Sequence, residues 1–276
     1  MPPINFSIIT PSFNQARFIE QNIKSVLDQN RTDFEHIIVD GGSTDGTLQN
    51  LEKYPHLKWT SEPDRGQSHA LNKGFIKAQG EIIGWLNSDD YYCPGIFTSV
   101  AEKFRDKKVI ALCGDGYEVD EQGSVLRPLS SAHMEPEELI RYWKWRYEFV
   151  QPALFFRRSV FDSIGYLDES LNYAMDYDFF IRLGRHTRIH YIPQPLANLR
   201  MYPESKTGKN AAKVIPAYIR EMQKVSKKYW GSPLQSKYYG YALSLTAAVM
   251  FSVLKNLSFS PTSKSRDAIK RFKGTG

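Results

Sequence analysis

EIIGWLNSDDYY, residues 81–92, gathers Ile82, Ile83, Trp85 and Leu86 into a short apolar run broken by Gly84, then stops in Asn87-Ser88-Asp89-Asp90. A run this short and dense suits an interior strand of a parallel sheet, covered on both faces. Two adjacent acids at its carboxyl end repel each other, so a counter-charge is expected there. A hard divalent cation carrying phosphate oxygens is the economical choice. The same residues also suit a turn, or a cap for a helix starting near Pro94. The flanking chain bears on which reading holds.

Upstream, residues 4–10 (INFSIIT) read as a first strand, followed by a turn at Pro11-Ser12-Phe13-Asn14 in which Asn14 is placed to cap a helix. Phe18, Ile19, Ile23, Val26 and Leu27 recur at helical spacing and predict an amphipathic helix over 16–29. Residues 35–40 (EHIIVD) form a second buried strand, which ends in the loop GGSTDG and a helix to about Lys53. A third strand over 57–61 ends in EPDRG, and a helix over 67–78 is terminated at Gly80. Four β-strands alternating with three helices within ninety residues, joined by short loops, predict an α/β fold around a mostly parallel sheet flanked by helices. Ligands in such sheets collect at the carboxyl ends of the strands. Those ends carry Thr10, Asp40, Asp64 with Arg65, and Asn87 to Asp90.

Downstream, the pattern predicts a helix over 94–104, a strand over 109–114 and a hairpin of 117–119 with 125–127 around DEQG. It continues with an aromatic-rich helix over 135–146, a strand over 151–156, a short helix over 160–164 and a helix over 177–185 opened by Asp176.

The chain's 276 residues, 41% hydrophobic, suffice for one large domain with a small extension. Cys93 and Cys113 show neither metal-ligand spacing nor a disulfide framework, which fits a reducing cytosol. Residues 1–5 lack the basic start of a secretion signal, so the expected location is cytoplasmic. No Walker loop or GxGxxG follows the first strand, no G-x-S-x-G elbow occurs, and the six histidines never cluster with the cysteines. Carboxylates and basic residues remain, suited to a nucleotide diphosphate with a metal. In that setting Asp40 hydrogen-bonds a base or ribose, or else caps its own loop. Arg65 meets phosphate oxygens, or pairs with Asp64 or Glu62. Asp176 acts as a general base, or caps the helix that follows it.

The segments SIITPSFNQARFIEQNIKSVLDQ, IIVDGGSTDGT, SEPDRGQSHALNKGF, GEIIGWLNSDD, QPALFFRR and MDYDFFIRL, in that order over about residues 6–200, resemble the inverting, GT-A-type glycosyltransferases of family 2. The resemblance implies a GT-A domain over 1–205 and a sugar-nucleotide donor, with UDP the commonest nucleotide. It places Thr10, Pro11 and Asn14 along the nucleotide, Asp40 on the base, and Asp64, Arg65 and Asn72 around the donor. Asn87 to Asp90 stand at the family's D-x-D position, with Asp89 and Asp90 holding Mg²⁺ or Mn²⁺. Arg65 or Arg200 meets the departing diphosphate, and Asp176 deprotonates the acceptor hydroxyl. The chain departs from the family at three places: Asn87 replaces the usual first aspartate, Met175 the first acid of a Glu-Asp pair, and Tyr202 a histidine.

Residues 206–276 read as a basic helical extension. From Arg200 to the end, fifteen Lys/Arg face Glu204, Glu221 and Asp267, while the rest of the chain is net acidic. Residues 208–230 predict a basic helix or a helix pair split near Pro216. Residues 238–254 are free of charge, which suits a helix docked on the domain, one lying in an anionic membrane surface, or a short span. The acceptor implied is a glycan or lipid-linked glycan. Nucleic acid is disfavoured, since the tail's aromatics form no stacking platform.

Overall fold

The structure is a computed structural model that describes residues 5–132, 135–141, 149–206 and 211–258. Strands β1 (Phe6–Ser12), β2 (Phe34–Asp40), β3 (Lys58–Ser61) and β4 (Ile82–Trp85) alternate with helices α1 (Ile19–Leu27), α2 (Thr47–Glu52) and α3 (Gln67–Lys77). They pair in parallel in the order β3-β2-β1-β4. Strand order reverses at β1, the place where ligands of such sheets collect at the carboxyl ends of the strands. Every residue of β1 and β4 is buried, as expected of strands covered on both faces. Helix α3 lies close on β1 because position 74 is glycine; a Cβ there would run into Ile9.

Past β4 the sheet turns mixed. The two-residue β5 (Tyr91–Tyr92) leads through α4 (Ile96–Phe104) to β6 (Ala111–Val119) and β7 (Val125–Leu129). Then come α5 (Pro136–Ile140), a 3-10 turn at Gln151–Ala153, β8 (Leu154–Arg157), α6 (Val160–Ile164), α7 (Met175–His186) and β9 (Ile189–Arg200). The order continues β4-β8-β6-β9-β5, with β7 beside β6. Strand β8 runs antiparallel to both neighbours, and only β6 and β9 pair in parallel in this half. Phe6 stacks on Phe97 at 4.6 Å between ring centroids, with Tyr92 and Phe155 around them, so one core continues from the parallel half into the mixed one.

Several elements differ from expectation. Helix α1 starts at Ile19, and Asn14 does not cap it. Asn14 adopts φ +53°, and its Oδ1 accepts from the Thr44 N–H while its own N–H donates to Ser43 Oγ, tying the β1 loop to the β2 loop. The strand expected over 109–114 and the half-hairpin over 117–119 are one continuous strand, β6 (Ala111–Val119). Strand β9 gave no sequence signal because Pro193 and Pro195 interrupt it. Its register against β6 slips around Asp115, and proline is tolerated at such a bulge. Of the helix expected over 135–146, α5 covers Pro136–Ile140, and Tyr142, Trp143 and Trp145 lie outside the described residues.

Two compact units divide the chain, the second beginning at Trp230 in the main chain direction. The first unit therefore includes α8 (Ala211–Lys228), which runs without a break at Pro216. In the second unit, α9 (Ser236–Ser258) carries the charge-free stretch, and Trp230 stacks on Tyr241 at 5.9 Å. Among the described residues, no helix is long and apolar enough to cross a membrane.

Candidate active site

The NSDD turn after β4 is held from α1. Asn22, fully buried, donates its amide to the carbonyls of Asn87 (2.8 Å) and Asp90 (3.0 Å). A polar residue on the inward face of an amphipathic helix looks like an error in the pattern, and here it fixes the acidic turn. Within the turn, the two acids differ. Asp90 is 2% exposed, and both its oxygens have protein partners: Oδ1 accepts the Arg200 backbone N–H at 2.9 Å and Oδ2 the Asn87 amide at 3.2 Å. On Asp89 the hydroxyl of Tyr202 donates to Oδ2 at 3.0 Å.

Burial, reinforced by the charge of Asp89, pushes the Asp90 carboxyl well above the usual range. Burial likewise raises Asp89, partly offset by the Tyr202 bond. Two carboxyls that resist ionising together favour a bound cation. The residues thus fit a divalent metal: Asp90 anchors the turn, and Asp89 is the acid that could hold the ion. Among the described residues no cluster of three or more His, Cys, Asp or Glu forms a site by itself, so a metal here needs oxygens from the ligand it accompanies.

Several residues expected to touch a nucleotide have their polar groups engaged inside the protein. Thr10 is fully buried, with its hydroxyl 2.9 Å from Nε2 of His36, an imidazole kept neutral by burial, its pKa pushed down to about 3. Asp40, also fully buried, accepts from the N–H groups of Gly42 and Ser43 and the hydroxyls of Ser43 and Ser61. It organises the GGSTDG loop, the capping role left open by the sequence. Asn72 closes a two-way amide bond with the Leu167 backbone and also reaches Glu169. The Arg200 guanidinium is bound by the carbonyls of Asp89, Asp120 and Glu121 and by Gln21, and it lies over the rings of Phe18 and Tyr91. Arg65 is exposed and paired with Glu169 at 2.6 Å, and Asp64 accepts the Gly66 N–H. Pro11 is buried in β1.

Other groups stand at the same strand ends. Phe13 is 59% exposed, and its ring lies beside Gly41 and Asp64. An aromatic kept out of the core at a strand's carboxyl end offers a flat face to a ligand. The Ser12 hydroxyl is buried without a hydrogen-bond partner.

Asn87 has all four amide positions in use. Its Oδ1 accepts from the Trp85 indole (2.9 Å) and from Gln67 Nε2 (2.8 Å). Its Nδ2 donates to Asp90 and to Gln151 Oε1 (2.8 Å). Gln67 Oε1 in turn accepts from the Lys206 ammonium at 3.0 Å. Lys206 lies in the electrostatic field of Asp176, in the first turn of α7. This chain of hydrogen bonds runs from Asp90 to Lys206, whose interaction with Asp176 is through charge. Burial raises the Asp176 carboxyl to about 6, opposed by the Tyr177 N–H it accepts and by Lys206. Met175 beside it is 4% exposed and packs into the core. Glu221 on α8 takes the N–H groups of Asn172, Tyr173 and Ala174, fixing the entry into α7.

A family model described as Glycosyl transferase family 2 matches residues 7–165. An uncharacterized glycosyltransferase of Rickettsia felis is 29% identical over 218 residues, 74% of this chain and 35% of that protein. The chondroitin synthase of Escherichia coli is 26% identical over 240 residues, 83% of this chain and 34% of the synthase. The chain thus spans about a third of the length of these two relatives. In fold it is similar to S. aureus TarS 1-349, solved in complex with UDP-GlcNAc, with a TM-score of 0.63 at 21% identity over 94% of this chain and 74% of that one.

Proposed function

The chain belongs to glycosyl transferase family 2, and we propose that it moves a sugar from a nucleotide-diphosphate donor to an acceptor hydroxyl with inversion at the anomeric carbon. The observation that carries this reading is the hydrogen-bonded path from Asp90 through Asn87 and Gln67 to Lys206, beside Asp176. In this reading the cation-seeking acid pair and a carboxylate titrating at about 6 serve one bound donor and its acceptor.

In this reading the Phe13 face and the Ser12 hydroxyl receive the nucleoside. Asp89 would hold Mg²⁺ or Mn²⁺ beside the donor's diphosphate. The metal supplies positive charge where the leaving diphosphate becomes more negative. Asp176, ionised above pH about 6, removes the acceptor proton as its oxygen attacks from the face opposite the nucleotide. The same burial that raises this carboxyl strengthens it as a base. Arg65 can reach the diphosphate only by leaving Glu169, and Arg200 acts by anchoring the Asp89 carbonyl.

UDP is the nucleotide favoured by the likeness to TarS, and a glycan or lipid-linked glycan the acceptor favoured by the chondroitin synthase. On α8, Arg220, Lys224 and Lys227 are exposed at helical spacing beside Ile219, which supports peripheral docking of a cytoplasmic enzyme on an anionic membrane. Sedimentation with anionic and with neutral liposomes tests that part, and equal partitioning removes it.

Asn87 and Met175 favour a second reading, a sugar-nucleotide-binding protein that does not turn its ligand over. A panel of nucleotide sugars incubated with Mn²⁺ separates the two. Donor hydrolysis or transfer supports the enzyme, while binding without turnover of any donor supports the second reading.

A further inference from the structure

Three side-chain amides, Asn87, Gln67 and Gln151, are linked beside the acid pair, and one group sets the direction of all three. The Trp85 indole N–H can only donate, so the group it meets on Asn87 is the oxygen. Gln67 must then present its NH₂ to that same oxygen, which leaves Gln67 Oε1 facing outward. The Asn87 NH₂ must face Asp90 and Gln151, and Gln151 must send its own NH₂ to the Trp85 carbonyl, at 2.8 Å. Turning any one amide over sets two donors or two acceptors against each other. The oxygen left over, on Gln67, meets an ammonium, which is a donor only.

We propose that Gln67 is a positioning residue, whose amide, oriented by Trp85 through Asn87, holds the Lys206 ammonium beside Asp176. The inference rests on the transferase reading above. Lys206 has two further attractions to this place: the ring of Tyr173, 5.6 Å from Nζ, and the charges of Asp176 and Glu221. The groups facing Asp176 are Lys206 from the segment after β9, Glu221 and Tyr218 from α8, and the Tyr177 N–H of its own helix. Of these, Glu221 disfavours the ionised carboxylate, and Lys206 is the cation that favours it. A lysine on an exposed segment loses rotamer freedom when it is held at one place. The Gln67 carbonyl supplies the fixed point for it, and that point is set from the acid pair's own turn.

The test uses the full chain with aspartate carboxyl carbons labelled, Asp176 being assigned by loss of its signal in Asp176→Asn. Gln67→Leu and Lys206→Met are each expected to move the Asp176 titration upward by about half a pH unit or more. The double variant moves it no further than Lys206→Met, because both substitutions remove one interaction. The acidic limb of the turnover profile follows by the same amount. Movement in Lys206→Met with none in Gln67→Leu overturns the role of Gln67, and movement in neither overturns the arrangement. Additive shifts in the double variant also overturn it. The carboxyl titration needs no substrate, so a wild-type protein that turns over no donor defeats the transferase reading while this measurement stands by itself.

Discussion

Tyr202 donates its hydroxyl to Asp89 Oδ2 at 3.0 Å. A neutral phenol makes this bond at any pH below its own ionisation, which burial and the Asp89 charge push upward. It stabilises the ionised form of an acid that burial opposes. Tyr202→Phe is therefore expected to weaken nucleotide binding in Mn²⁺ by roughly fivefold, about 1 kcal/mol, and to leave metal-free binding unchanged. Calorimetry with and without the metal reads both. A loss of equal size in the two conditions would assign Tyr202 to the fold alone.

The two acids should separate by the same method. Asp89→Ala removes the metal-dependent part of nucleotide binding and has little effect on stability. Asp90→Ala leaves the Arg200 N–H and the Asn87 amide without their acceptor, and unfolding should come about 2–4 kcal/mol sooner. Reversed behaviour would exchange their roles.

Asp176→Asn is expected to lower transfer by 10²–10⁴-fold with donor affinity unchanged. Its pH signature has a fixed sign. The folded carboxyl titrates at about 6 against 3.8 unperturbed, so the folded chain holds the proton more tightly than the unfolded one. Ionisation thus opposes folding: not at all below pH about 4, progressively through 6, and fully above. The variant should unfold like the wild type at pH 4 and be more stable by roughly 1–3 kcal/mol at pH 8. Thermal unfolding across that range checks it, alongside a wild-type turnover limb near pH 6.

Asn87→Asp, which adds a third acid to the turn, is expected to destabilise the metal-free protein by about 2–4 kcal/mol. The new carboxylate would face Asp90 Oδ2 and Gln151 Oε1, both acceptors. Saturating Mn²⁺ should recover part of the loss, giving a larger metal-induced rise in melting temperature than in the wild type. An unchanged metal-free melting temperature would show that the amide network adapts freely.

Asp40→Asn should lower stability by about 2–3 kcal/mol, because four donors meet its two oxygens, three of them on Oδ2, and an NH₂ would replace one of those oxygens. Were Asp40 chiefly a base contact, the melting temperature would hold and nucleotide affinity alone would fall.

The parallel half of the sheet was legible because its strands are buried on both faces and read as dense apolar runs between helices with clear periodicity. Strand β9 was not, since two prolines break its pattern and a bulge in its pairing with β6 accommodates them. The candidate site divides in a similar way. Asp89, Asp90 and Asp176 were legible as acids at the ends or starts of elements, where burial and charge shape their chemistry. Asn22, Gln67 and Gln151 were not, because an amide in a helix or loop carries no signal until its partner is known. Thr10, Asp40, Asn72 and Arg200 have the residue types of ligand contacts, and their polar groups are also hydrogen-bonded within the protein.

What the sequence determined alone was the local part: which runs are buried, how elements alternate, and hence that acids stand at the carboxyl ends of β2 and β4 in one parallel sheet. Tertiary structure decided which polar groups remain free to act. A hydrogen-bonding side chain satisfied by a partner a hundred residues away has the same letter as one turned toward a ligand, and only the folded chain brings that partner within 3 Å.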